Sequence, residues 1–369
     1  MKLEKDWFEV NGVDQLFSPA ILLYKDRIQK NIQQAVGYTL SSNQLRPHIK
    51  THKSGNVSKL MMEAGISKFK CATLQELDLL CNAGAKDVLL AYQIVGPNIN
   101  AFIKLQKKYR QTLLSCLVDN AEVADVLNRE ASKHNEIIHV YIDIDVGMGR
   151  TGVVLDQAEP LVSFVQCCSD LNFKGFHVYD GHLLGLCEAE RLLKSAEYLG
   201  AVKNLRTLIT PMYHSAVDIV IGGSSCFPFY VQDESVVCSP GTFIFWDRGY
   251  ELNLPNQHFS FAAVLLSRVI SKPSNDHICI DLGYKAIASE NTLDKRFYFL
   301  SDPEIFPVAQ SEEHLVLNIS HSTKSWDIGN VIYVLPYHIC PTIALYDKVI
   351  VIEDHLIVEQ WEIGGRTRY

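Results

Sequence analysis

The chain has 369 residues, enough for one large domain or two domains with real cores. A hydrophobic share of 47%, a charged share of 21% and a net charge of −8 fit a soluble globular protein without general support for nucleic-acid binding, and no apolar run reaches the length of a membrane helix. The start MKLEKDWFEV lacks the apolar core of a signal peptide, and ten cysteines without framework spacing suit buried thiols in a reducing cytoplasm.

From about residue 19 to residue 245, strand-like and helix-like stretches alternate. PAILLY leads into KDRIQKNIQQAVGY, and LRPHIK into NVSKLMMEAG. KFKCAT, DVLLAY, LLSCLVD, IIHVYIDID and NFKGFHVYD are each followed by a helical pattern, and AVDIVIGG closes the series. Eight such strands predict a parallel (β/α)8 barrel over 19–245. No GxGxxG follows the first strand, which argues against an open dinucleotide-binding sheet. Beyond residue 245 the runs shorten: FSFAAVLLSRVI, DHICIDLGY, HLVLNIS, NVIYVLPYHIC, KVIVIED and LIVEQWEI are separated by turn residues. They predict a mainly antiparallel β domain over 246–369, with residues 1–18 as a possible addition.

Chemistry gathers at three places. In LRPHIKTHK, Arg46, His48, Lys50 and His52 fall on alternate positions, so on a strand they would share one face and need an anionic partner. HVYIDIDVGMGR puts His139, Tyr141, Asp143 and Asp145 on one face with Arg150 just beyond, and GFHVYDGH places His177 with Tyr179. Polar stripes at the C-terminal ends of barrel strands are where a barrel keeps its reactive groups. Gly222, Gly223, Ser224 and Ser225 follow the last strand, and Gly241 with Thr242 follow in SPGTF. Glycine turns let backbone N–H groups approach a phosphate, and serines add donors. In LPYHICPT, His338 and Cys340 lie two apart on an expected strand, so imidazole and thiolate would point the same way, a donor pair suited to Zn²⁺.

RPHIKTHK, VLLAYQIVGP, DVGMGRTGV, IDLGYKA, SEEH and PYHICPT, in this order, resemble the fold-type III pyridoxal-phosphate enzymes. The likeness is strongest to the D-threonine aldolase and D-serine dehydratase branch, whose barrel is that of alanine racemase. It implies that Lys50 is the lysine that joins the cofactor. It further implies that Arg150 faces the cofactor's phenolic oxygen and that Tyr179 lies against its ring. On the residues themselves His48 and His52 flank the amine, which makes His48 a cofactor-binding and His52 a catalytic candidate; the likeness implies that Gly222 to Ser225 with Gly241 and Thr242 hold the phosphate and that His338 and Cys340 bind the metal. The implied activity is a lyase on D-3-hydroxy amino acids, with Zn²⁺ or else Mn²⁺ as the metal, in a homodimer. A soft Cys340 where aldolases carry a hard carboxylate favours dehydration to a keto acid and ammonia over cleavage to glycine and an aldehyde. A racemase would need a second base, for which Tyr284 or Tyr337 are the candidates. A non-catalytic pyridoxal-phosphate carrier on the same barrel would have no need of the β domain.

Overall fold

The computed structural model describes residues 6–213 and 216–368. Of the N-terminal segment, the first five residues lie outside that range. The chain divides into two compact units. One holds Ala35–Lys50 and Gly55–Gly241; the other holds the N-terminal stretch through Gln34, the short piece Thr51–Ser54, and Thr242–Arg366.

The first unit is the parallel barrel. Taking β1 as Ala20–Tyr24, its strands are β2 (Lys68–Cys71), β3 (Asp87–Gln93), β4 (Leu113–Val118), β5 (Ile138–Asp145), β7 (Leu171–Val178), β8 (Asp218–Ile221) and β9 (Val237–Cys238), paired in that order, with the short β6 (Val153–Val154) beside β5. The gap between β9 and β2 is filled by LRPHIK. Leu45 bridges Cys238 and His48 bridges Lys70, both in parallel. The N–H groups of Arg46 and His48 donate to the Cys238 and Pro240 carbonyls at 2.7 and 2.9 Å, and the Pro47 carbonyl accepts from Lys70 N–H at 2.9 Å. Proline has no N–H to give, so this segment makes two bridges and not a continuous ladder.

One expectation needs correction. PAILLY is not a barrel strand: β1 pairs antiparallel with β10 (Ala263–Ser274) and parallel with β16 (Lys348–Glu353) in the second unit. The place expected for it is taken by β9, which was hidden in the short VVCSP run after AVDIVIGG. The physical reason is burial. Leu22 and Tyr24 pack with Phe8, Val10, Val264, Leu266 and Tyr333 in a core that belongs to the other sheet. A strand followed by a helix is a local pattern, and it does not choose the sheet.

Among the described residues that other sheet has nine strands. They are β1, β10, β11 (His277–Ile280), β12 (Phe297–Phe299), β13 (Phe306–Gln310), β14 (Leu315–Asn318), β15 (Val331–Pro336), β16 and β17 (Leu356–Glu362). Apart from β1 with β16, every pairing in it is antiparallel, as the turn-separated runs predict. No helix among the described residues is long and apolar enough to cross a membrane. No disulfide joins any of the ten cysteines among the described residues, and seven of them are buried.

Arg46 is fully buried in the barrel and makes a two-toothed pair with Asp87 at the start of β3, at 2.7 and 2.8 Å. Burial disfavours the guanidinium charge, but Asp87 more than compensates and holds its pKa above the ordinary value. Asp87→Asn leaves a buried charge without its counter-ion, so it should destabilise the fold by about 3 kcal/mol or more in urea unfolding. A loss below about 1 kcal/mol, the range of a surface pair, would contradict this account of the barrel floor.

Candidate active site

The basic stripe of LRPHIKTHK does not survive as one face. After His48 the chain turns through a 3-10 turn at Ile49–Thr51. Arg46 points to Asp87, while the Lys50 amine lies 5.9 Å from the centre of the Tyr179 ring. The anion facing Arg46 is therefore protein, not ligand. His48 Nδ1 accepts the Lys50 backbone N–H at 3.3 Å and so shapes the turn that presents Lys50.

His52 lies in the second unit and is completely buried, edge-on to Phe245. Its Nδ1 accepts the Ser54 N–H at 3.1 Å, and burial pushes its pKa down to about 3. A histidine buried and kept neutral to that degree is suited to packing and to holding the turn at Ser54, which speaks for a structural part of His52 over the expected catalytic one.

Tyr179, at the end of β7, is the meeting point within the barrel. The Arg150 guanidinium lies 5.1 Å from its ring centre, and the amines of Lys50 and Lys70 each lie 5.9 Å away. These distances fall within cation–π range. The ring rests on backbone: a Cβ on Gly181 would collide with it, and one on Gly223 would come within 3.1 Å. Glycine at both places is what lets the ring sit there.

Lys70 carries no motif that singles it out in the sequence. It stands on β2, is 3% exposed, and among the described residues has no carboxylate in ion-pair range. Its amine lies 3.3 Å from His177 Nε2; His177 Nδ1 lies 2.7 Å from Asp143 Oδ1; and Thr151 Oγ1 donates to Asp143 Oδ2 at 2.9 Å. Burial lowers the Lys70 pKa to about 7, with help from the Lys50 charge and against the pull of Asp143 and Asp180. Burial and then Lys70 lower that of His177, so the ring is neutral and its Nδ1 proton goes to Asp143. Nε2 is then the acceptor for Lys70. The available signal was a lysine inside the apolar strand KFKCAT, on the residue parity that faces inward.

The glycine–serine turn follows β8, the seventh barrel strand once LRPHIK is counted first, and SPG follows the eighth. Those are the loops from which barrels build phosphate sites. Gly222 has φ +82°, and a Cβ there would meet the Tyr230 ring at 2.6 Å. Not every expected donor is available. Gly223 N–H is taken by buried Asp180 at 3.1 Å, and Gly241 N–H by Ser224 Oγ at 3.0 Å. Thr242 falls in the second unit, where its hydroxyl lies 3.7 Å from Cys340 Sγ.

His338 and Cys340 do not share a strand. β15 ends at Pro336, His338 caps the short helix Ile339–Ile343, and Cys340 lies in its first turn. The two side chains still meet: burial opposes charge on His338, but bonding to Cys340 and Glu290 raises its pKa to about 9. Glu290 holds His338 Nδ1 at 2.6 Å and so fixes the orientation of the imidazole. Buried Asp247 fixes the turn by accepting the Ile339 N–H at 3.0 Å, and Thr51, next in the chain after Lys50, brings its hydroxyl to 3.2 Å from Cys340 Sγ. Among the described residues no three His, Cys, Asp or Glu side chains form a ligand cluster, so the pair would leave a metal open to other ligands.

The alanine racemase N-terminal domain model matches residues 23–246. This chain belongs to that family. A serine dehydratase domain model matches residues 262–352 as well. Among curated proteins, a D-threonine aldolase of Arthrobacter sp. is 26% identical over 329 residues, covering 87% of this chain and 85% of that protein. Among solved structures, D-threonine aldolase from Filomicrobium marinum superposes with a TM-score of 0.87 at 24% identity, over 96% of both chains. A variant of D-threo-3-hydroxyaspartate dehydratase in the metal-free form gives 0.81 at 20% identity, over 97% of this chain and all of that one. The family barrel is thus the alanine racemase one, with the antiparallel β unit joined to it.

Lys70 also leaves a signature in stability. Its folded pKa of about 7 lies below the ordinary 10.5. Between those values the unfolded chain binds more protons, so unfolding free energy should rise with pH, by on the order of 1 kcal/mol per unit. Comparing wild type with Lys70→Met in urea at pH 7.5 and pH 9, roughly the middle of that window, should show a more positive slope in wild type, since the falling contribution of His338 is common to both. Equal slopes would mean that Lys70 is charged throughout.

Proposed function

We propose that the protein is a pyridoxal-phosphate- and metal-dependent lyase acting on D-configured 3-hydroxy amino acids, with loss of water as its reaction. The observation that carries this reading is the gathering of Lys50 and Arg150 on the ring of Tyr179 in a chain of the alanine racemase N-terminal family. An amine, a guanidinium and an aromatic face, beside a glycine–serine turn at the end of β8, are the donor set the cofactor asks for.

Lys50 would hold the cofactor covalently, Arg150 would hold its phenolic oxygen, Tyr179 would back its ring, and the turn Gly222–Ser225, whose two glycine N–H groups bond within the protein, would hold its phosphate through Ser224 and Ser225. When bound, pyridoxal phosphate supplies an electron sink for the pair left at a substrate Cα. With the cofactor bound, Lys50 would be the amine placed to take the Cα proton of a substrate. Tyr179, fixed on Gly181 and Gly223, would give a bound ring one face to rest on. His338 and Cys340 would hold the metal, which would supply Lewis acidity. Glu290 keeps the imidazole turned, and Asp247 keeps the His338–Cys340 turn closed.

Cys340 supports dehydration, since a thiolate selects softer Zn²⁺ over Mn²⁺ or Mg²⁺. A second reading, retro-aldol cleavage, draws on the likeness to the Arthrobacter D-threonine aldolase. Homodimer assembly and a cytoplasmic setting belong to the same proposal.

The test is a panel of D- and L-3-hydroxy amino acids, with ammonia and aldehyde scored separately. D-serine or a related D-substrate should yield keto acid and ammonia. Chelation, or Cys340→Ala, should cut the rate at least tenfold, about the cost of losing a metal ligand's support, with Zn²⁺ restoring the chelated wild type. Glycine and aldehyde from D-threonine without ammonia would establish the aldolase reading. An unchanged rate after chelation would remove the metal from the reaction.

A further inference from the structure

The Lys70–His177–Asp143 chain has no part in the reading above. It is buried, it crosses the barrel from β2 to β7 and β5, and every polar link in it is made. An ordinary structural lysine would point outward or pair with a carboxylate. Lys70 does neither. Its amine sits as near Tyr179 as that of Lys50, at 5.9 Å in both cases.

We propose that Lys70 is a second working amine of this barrel: held by His177 and Asp143 beside Tyr179, it takes up one proton from solvent when the anionic cofactor binds, and so becomes a buried counter-charge to it. The inference rests on the cofactor reading given above. Lys70 acts here as a positioning residue, and no bond to the cofactor is needed.

The surroundings of Lys70 make its charge conditional. Lys50 and Arg46 disfavour an ammonium there; Asp143 and Asp180 favour it; His177 is neutral and accepts one N–H; and Tyr179 offers a ring face. In the chain alone these influences and burial leave Lys70 with a pKa of about 7, so the amine is mostly neutral at pH 8. A phosphate and a phenolate brought to Tyr179 add negative charge, which tips Lys70 toward the ammonium. The proton comes from buffer and forms the third N–H bond on Nζ; nothing is oxidised or reduced. Next to the chain, a cavity of about 20 Å³ bordered by Asp143, Arg150, Thr151, His177 and Tyr179 has room for one water through which that proton can pass. His177 cannot substitute for Lys70 as the proton store, because its Nδ1 proton is committed to Asp143 and its Nε2 faces the Lys70 amine.

The probe is pyridoxine 5′-phosphate, which has the ring and the phosphate but no aldehyde, so it binds without joining Lys50. Calorimetry on the full-length protein stripped of cofactor, at pH 8 in HEPES and in Tris, reads proton uptake from the dependence of the heat on buffer. Wild type should take up on the order of half a proton or more per chain. Lys70→Met and Lys70→Arg should both lose that uptake, the first because no amine remains and the second because a guanidinium is already charged. At pH 6, where Lys70 is already protonated, the three proteins should converge. If Lys70→Met does not fold, Lys70→Arg alone carries the comparison. Uptake that persists in either folded variant overturns the inference and leaves the cofactor reading standing. Absence of any binding to wild type overturns the cofactor reading, and this inference with it.

Discussion

The barrel depends on six residues, Leu45 to Lys50, that close it. They bond to β9 on one side and β2 on the other, with a proline in the middle that can donate to neither. The closure is made by three backbone hydrogen bonds, and the side chains on it are sorted by depth. Arg46 goes down to Asp87, where its charge is matched inside the barrel. Lys50 stays at the rim, near Tyr179. A sliding register here would not merely weaken a sheet. It would exchange the matched cation for the half-buried one, at the cost of an unpaired guanidinium in the interior.

From that anchor the electrostatics of the rim follow. Two amines and a guanidinium crowd one aromatic ring, and only part of their charge is answered by protein carboxylates. Asp143 is engaged with His177 and Thr151, and Asp180 with Gly223 and Tyr230. Such an arrangement is costly unless a ligand brings negative charge or one amine gives up its proton. Lys70 is the group that can yield, because it is the more deeply enclosed of the two. The β unit shows the same economy around His338. There Glu290 orients the ring, Asp247 fixes the turn, and the hydroxyls of Thr51 and Thr242 line the thiol.

Much of this was legible in the residues. The alternation of β and α, the change of rhythm near residue 245 and the inward stripe of β5 came through because two-residue and helical periods are local properties of a chain. Lys50, Arg150, Tyr179 and the His338–Cys340 pair stood out because their motifs carry unusual residue types at strand ends. The misreadings share a cause. PAILLY has a good strand pattern, but which sheet it joins is settled by partners some 240 residues away in β10 and 330 away in β16. LRPHIKTHK alternates like a strand, yet Pro47 and a 3-10 turn break the parity, so His52 ends up in a different unit from Lys50. Gly223 looked like a free donor until Asp180 took it. Lys70, Glu290 and Asp247 were missed because a single charged residue in an ordinary segment declares nothing until its neighbours in space are known.

The central claim is that the amine at the barrel-closing turn carries the cofactor. Borohydride reduction of the protein after addition of pyridoxal phosphate, followed by proteolysis and mass mapping, tests it directly. The mass of the reduced pyridoxyl phosphate group should appear on the peptide containing Lys50, and on no other lysine in comparable amount. A label on Lys70, on Lys53, or on no peptide at all would contradict the account.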